Sequence, residues 1–139
     1  MYRRLGHISL VVDDYDKAIK FYVEKLDFIL LEDTKISDIK RWVIVAPRGA
    51  KECSIVLAKA ANEDELSCIG NQSGGRVFLF LFTDDFWRDY HLLRERDVCF
   101  VRPPQDDTYG TVAVFEDLYG NLWDLIEPNA NNKGLRTTV

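Results

Sequence analysis

Two histidines, His7 and His91, and three cysteines, Cys53, Cys68 and Cys99, are the side chains of this 139-residue sequence that most readily serve as bases, nucleophiles or metal ligands near neutral pH. They are scattered. The sequence carries no nucleophile elbow, no phosphate-cradling glycine loop, no zinc-ribbon spacing and no close Cys/His pair. Among the carboxylates, Asp124 has the chemistry to orient a histidine, so a His7–Asp124 pair could work as base and orienter without a metal. Arg41 and Arg102 carry guanidinium groups suited to a carboxylate or phosphate. Each candidate has a plainer alternative. His7 can be a hydrogen-bonded neutral histidine, and Asp124 can pair with Arg41 or Arg76. Arg41 and Arg102 can end in surface ion pairs. Trp42, Trp87 and Trp123 suit core or interface packing, or a rim where one ring stacks on a ligand.

The bulk properties narrow the partners. Hydrophobic residues make up 47% and charged residues 29%, which fits a folded domain. A net charge of -5 with dispersed Lys and Arg argues against nucleic acid and anionic membrane. No apolar run approaches the roughly 20 residues of a membrane helix. Met1-Tyr2-Arg3-Arg4 leads straight into a strand pattern, without the look of a signal peptide. An odd number of widely spaced cysteines is no disulfide framework, and the expected location is the reducing cytoplasm. Cys53 and Cys99 fall in strand-like runs and read as buried; Cys68 falls in a polar loop.

The elements that must position these residues repeat. Displaced by 71 residues, His7-Ile8-Ser9-Leu10-Val11-Val12-Asp13-Asp14 falls on Phe78-Leu79-Phe80-Leu81-Phe82-Thr83-Asp84-Asp85. The same displacement puts Ile19 on Tyr90, Tyr22 on Leu93, Glu24-Lys25 on Glu95-Arg96, and Gly49 on Gly120. One register therefore runs through a strand, a helix and a turn. Each copy reads as β-α-β-β-β. The first has strands near 5–12, 28–33, 41–46 and 53–58 and a helix near 14–26. The second has strands near 76–83, 98–102, 111–116 and 122–126 and a helix near 85–96. Asp13 or Asp14, and Asp84 or Asp85, are natural N-caps. Residues 1–139 thus form one α+β domain: a first module at 4–58, a linker at 59–75, a second module at 76–128, and a frayed tail at 129–139.

Alternation assigns the strand faces. Ile8, Leu10 and Val12 pack under the first helix, leaving Leu5, His7, Ser9 and Val11 opposite. Val77, Leu79 and Leu81 pack under the second, leaving Arg76, Phe78, Phe80 and Phe82 opposite. A sheet covered on one side by a helix offers its other side to a second sheet or to a ligand, so two such modules are expected to form a cup.

A histidine in the first strand, the acidic helix cap, the βαβββ duplication and the run Phe115-Glu116-Asp117-Leu118-Tyr119-Gly120-Asn121-Leu122-Trp123-Asp124-Leu125 together resemble the glyoxalase / bleomycin-resistance / extradiol-dioxygenase (vicinal oxygen chelate) superfamily. The resemblance covers about residues 4–128. It implies a glyoxalase-like fold, a cleft lined by two sheets, a homodimer, and a divalent metal that chelates neighbouring oxygens of a substrate. Its ligand positions fall on His7, Val56, Phe78 and Asp124. Valine and phenylalanine cannot bind a metal, so only His7 and Asp124 remain, too few for a catalytic site. At most a weakly held divalent metal, completed by water or substrate, fits that pair. Cleft contacts to a small-molecule ligand are expected from His7, Arg41, Val56, Phe78, Phe80 and Asp124. The resemblance supports three functions: a small-molecule binder with an incomplete metal site, a metal-dependent lyase or dioxygenase whose ligand set has shifted to residues such as Glu52 or Glu116, and a metal-free protein that sequesters a drug or metabolite.

Overall fold

The computed structural model describes residues 1–132 and resolves into two compact units, the first ending at Gln72 and the second beginning at Ser73. Residues 133–139 of the expected frayed tail lie outside the described residues.

The first unit contains β1 (His7–Val12), α1 (Tyr15–Lys20), β2 (Phe28–Lys35), β3 (Arg41–Pro47), β4 (Ser54–Lys59) and α2 (Glu63–Cys68). Its sheet has the order β1-β4-β3-β2, with β1 parallel to β4 and the other neighbours antiparallel. Asp14 supplies the cap of α1, its carboxylate accepting from the Lys17 amide at 2.9 Å. That bond holds the Asp14 carboxyl below its usual range. The helix does not run on as one α-helix to residue 26: Phe21–Lys25 form a wider π turn closed by the Leu26 amide on the Phe21 carbonyl. Asp27 then reverses the chain at φ 60, a left-handed conformation that aspartate tolerates better than most residues. Leu10, Val12, Ala18, Tyr22, Val43, Val45 and Leu57 are fully buried and form the layer between helix and sheet.

The second unit contains β5 (Val77–Phe82), α3 (Phe86–Glu95), β6 (Phe100–Asp107), β7 (Gly110–Glu116) and β8 (Leu122–Pro128), in the order β5-β8-β7-β6. It repeats the first unit in its details. Asp85 caps α3 through the Arg88 amide, Asp97 follows the helix at φ 61, and Gly120 matches Gly49 with a positive φ. Phe86, Leu93, Ala113, Phe115, Trp123 and Leu125 are buried beneath α3, with the Phe115 and Trp123 rings stacked 5.9 Å apart. Glu127 reaches from β8 to accept the first amide of α3 at 2.8 Å.

Four details differ from the expectations. The segment 59–75 is not all linker: β4 runs through Lys59, and Asn62 caps a short helix, its Oδ1 accepting the Glu65 amide at 2.9 Å. Asn129 and Asn131 are not frayed, because both side-chain amides donate to the Thr108 carbonyl at 3.1 Å. Cys99 is exposed rather than buried, since it lies just before β6 and outside the packed faces. Phe78 sits where the β5–β8 register slips between Val77 and Leu79, so it has no regular cross-strand partner.

Candidate functional site

On each sheet, the face away from the helix is organised around one position. In the first unit Val56 of β4 is the cross-strand partner of Ser9 on β1 and of Ile44 on β3. In the second unit Asp124 of β8 is the partner of Phe80 on β5 and of Val114 on β7. Val56 and Asp124 are thus equivalent places in the two modules, and each lines a cavity.

The first-unit cavity has a volume of about 560 Å³ and includes Ser9, Tyr15, Trp42 and Val56, with Arg41 and Lys59 at its edge. His7 stands on the same face. Its Nδ1 lies 2.9 Å from the Ser54 hydroxyl, and its ring meets Trp42 edge-on at 5.9 Å. His7 is exposed, whereas Val56 is buried and offers no lone pair. Arg41 is already engaged. Its guanidinium is 2.7 Å from Asp33, 3.0 Å from Asp16 and 5.1 Å above the Tyr15 ring. The charge-assisted bond to Arg41 holds the Asp33 carboxyl below its usual range. Arg41 is thus paired within its own unit.

The second-unit cavity is larger, about 970 Å³, and is lined by Phe80, Phe82, Tyr109, Asp107, Asp124 and Ile126 among others. Phe80 and Phe82 are 59% and 41% exposed, so these rings are not core. They project from alternate positions of β5, as strand geometry requires. Asp124 is half-buried. Burial pushes its carboxyl above the ordinary value near 3.8, Arg102 pulls it back, and Asp107 adds to the rise. No described residue of its unit hydrogen-bonds or ion-pairs with the Asp124 carboxylate.

Asp124 owes its place to the turn before β8. Asp117 is 4% exposed and accepts the amides of Tyr119 and Asn121 and the side-chain amide of Asn121, each at 2.9 Å. Gly120 completes the turn at φ 97. The strand leaves this turn with Trp123 and Leu125 facing α3, so Asp124 and Ile126 face the cavity.

The structure thus brings Phe80 and Asp124 together in the second unit, and sets His7 and Val56 on one face in the first. Phe78 is half-buried at the strand irregularity and lines neither cavity. Sequence reasoning missed Tyr109, Asp107 and the tail residues Asn131 and Asn132 as cavity walls. The Asp107-Thr108-Tyr109-Gly110 turn was a usable signal, because a tight turn between two strands aims its side chains over the sheet end.

The donor set does not fit a catalytic metal. Val56 and Phe78 have no ligating atoms, so only His7 and Asp124 of the four expected positions carry a donor. Among the described residues no three His, Cys, Asp or Glu side chains converge where they could hold an ion.

Comparison with known proteins agrees with this architecture. Residues 4–125 match the Glyoxalase/Bleomycin resistance protein/Dioxygenase superfamily. An uncharacterized protein of Shewanella frigidimarina (strain NCIMB 400) is 58% identical over 130 residues, covering 93% of this chain and 96% of the relative. The crystal structure of UcmS2 is similar at 32% identity and a TM-score of 0.79, covering 91% of this chain and 99% of that one. TnmS3, an antibiotic binding protein from Streptomyces sp. CB03234, is similar at 33% identity and a TM-score of 0.74, covering 92% and 98%. With its duplicated βαβββ units and this match along nearly its full length, the chain belongs to the glyoxalase/bleomycin resistance protein/dioxygenase superfamily.

Proposed function

We propose that this protein binds a small, flat, partly apolar organic molecule on the helix-free faces of its sheets, and does so without a catalytic metal. One observation carries the reading: Phe80 and Phe82 hold aromatic rings in solvent around a cavity of about 970 Å³, beside a position where the superfamily's chemistry would need a metal-ligand set that the residues present do not supply. Cavities of this size suit small molecules, and exposed rings gain most when a flat ligand takes their water away. The likeness to TnmS3, an antibiotic binding protein, supports sequestration over turnover. His7, Val56 and Trp42 would offer contacts of the same kind on the first sheet.

We read the working form as a cytoplasmic homodimer. The outer strands β2 and β6 leave open edges, and Leu31 and Val101 on them are exposed. All three cysteines are free, and no helix among the described residues is long and apolar enough to cross a membrane.

The test is a thermal-shift series with planar aromatic compounds on chelator-treated protein. A ligand at about 100 times its Kd stabilises by about 2.7 kcal/mol, a rise in Tm on the order of 10 °C. The rise should survive chelator and shrink in Phe80→Ala. No shift with any planar compound, or a shift that requires added metal, would refute the reading.

A further inference from the structure

The two cavities differ in charge, and the difference bears on what the second can hold. The first is lined by three cations, Lys40, Arg41 and Lys59, against one carboxylate, Glu65. The second presents Asp107 and Asp124 with three rings, Phe80, Phe82 and Tyr109, and no Lys or Arg among its described lining residues. We infer that the second-unit cavity selects an aromatic molecule carrying a protonated amine, with Asp124 as its counter-ion and Phe80 and Phe82 as the faces it stacks against. This rests on the reading of the chain as a small-molecule binder.

Asp124 is already half out of solvent, and no described residue of its unit bonds to its carboxylate. A flat ligand settling on Phe80, its direct cross-strand partner, removes more of that water. A carboxylate stripped of water must be paired or protonated. A neutral ligand leaves it stranded and an anion makes matters worse, whereas an ammonium group pairs with it. The same ammonium meets the negative faces of the rings beside the carboxylate. Among the described residues Arg102 is the cation that acts on Asp124, but it lies two strands away through Val114, roughly 10 Å at ordinary strand spacing, and forms no ion pair with it. A net charge of -5 favours the approach of a cation from solution.

Three dyes of one ring size separate the possibilities: aminomethylacridine, whose side-chain amine is an ammonium at neutral pH, neutral acridine, and anionic acridine carboxylate. Each is titrated by fluorescence into the full chain and into Asp124→Asn, Asp107→Asn and Phe80→Ala, with circular dichroism confirming that the variants fold. Aminomethylacridine should bind about tenfold to a hundredfold tighter than acridine, the range a hydrogen bond to a charged partner supplies. Acridine carboxylate should bind weakest. Asp124→Asn should erase the preference while keeping acridine binding, Asp107→Asn should reduce it less, and Phe80→Ala should weaken all three dyes. Equal affinity for the cationic and neutral dyes, a preference that survives Asp124→Asn, or tighter binding of the anion would overturn the charge assignment and leave the binder reading standing. No binding of any dye would overturn both.

Discussion

Asp117→Ala tests whether one carboxylate sets the turn that presents Asp124 to its cavity. Asp117 accepts three hydrogen bonds of 2.9 Å from Tyr119 and Asn121 while only 4% exposed. A hydrogen bond to a charged acceptor contributes about 1.5–3 kcal/mol, and contributions within one cluster do not add. Truncation to alanine leaves the Asn121 amides, 3% exposed, without that acceptor. The combined cost should be about 3–5 kcal/mol, against total stabilities of about 5–15 kcal/mol for single domains. That corresponds to a fall in Tm of roughly 10–20 °C for a chain of this size. Asp117→Asn keeps one acceptor oxygen but turns an amide toward the Asn121 amide, so it should lose about half as much. Guanidinium denaturation followed by circular dichroism gives both values, with an unchanged m-value showing that the transition itself is the same. A loss under about 1 kcal/mol for Asp117→Ala, or a larger loss for Asp117→Asn than for Asp117→Ala, would refute the claim that the carboxylate organises this turn.

Three further outcomes follow from the same geometry. Gly110→Ala should destabilise by about 3 kcal/mol, because a Cβ there would lie 2.2 Å from the Glu127 carbonyl oxygen at a backbone φ of +152; a melt within error of the parent would contradict the packing at the end of the second cavity. Asp124→Asn should raise Tm at neutral pH. Burial lifts the Asp124 carboxyl above 3.8, so ionising it penalises the folded state at neutral pH. That penalty fades as pH falls through the raised value and is gone below 3.8, so the variant's advantage should close in acid. A lower Tm for Asp124→Asn at neutral pH would show that the carboxylate is stabilising instead. Phe80→Ala should change stability by no more than about 0.5 kcal/mol, since the ring is 59% exposed; a loss typical of a core phenylalanine would make it a structural residue.

Much of this was legible in the sequence because the duplication writes the same local physics twice. The paired aspartates after each first strand became the caps Asp14 and Asp85, and the matched glycines Gly49 and Gly120 both adopt a positive φ. Alternation placed Phe80 and Phe82 on the face away from the helix, where the cavity lies. Other features depend on information that no local pattern carries. A rigid 71-residue displacement pairs His7 with Phe78, but a strand irregularity at Phe78 takes that residue out of regular pairing, and such a slip leaves the hydrophobic pattern intact. Arg41 finds Asp33 and Asp16 at separations of 8 and 25 residues, which only the folded sheet brings together. The helix Glu63–Cys68 is too short and polar to show periodicity, although Asn62 with Glu65 is a recognisable capping pair. Asn129 and Asn131 look like frayed tail until the Thr108 carbonyl is beside them.

The central claim is a binding face without a catalytic metal, and metal analysis joined to ligand titration tests it most directly. Protein purified without chelator, measured by mass spectrometry of its metals and then titrated with a planar aromatic dye before and after chelator treatment, should carry far less than one metal per chain and bind the dye equally well in both states. One tightly held metal per chain, lost in His7→Ala together with dye binding, would contradict the account.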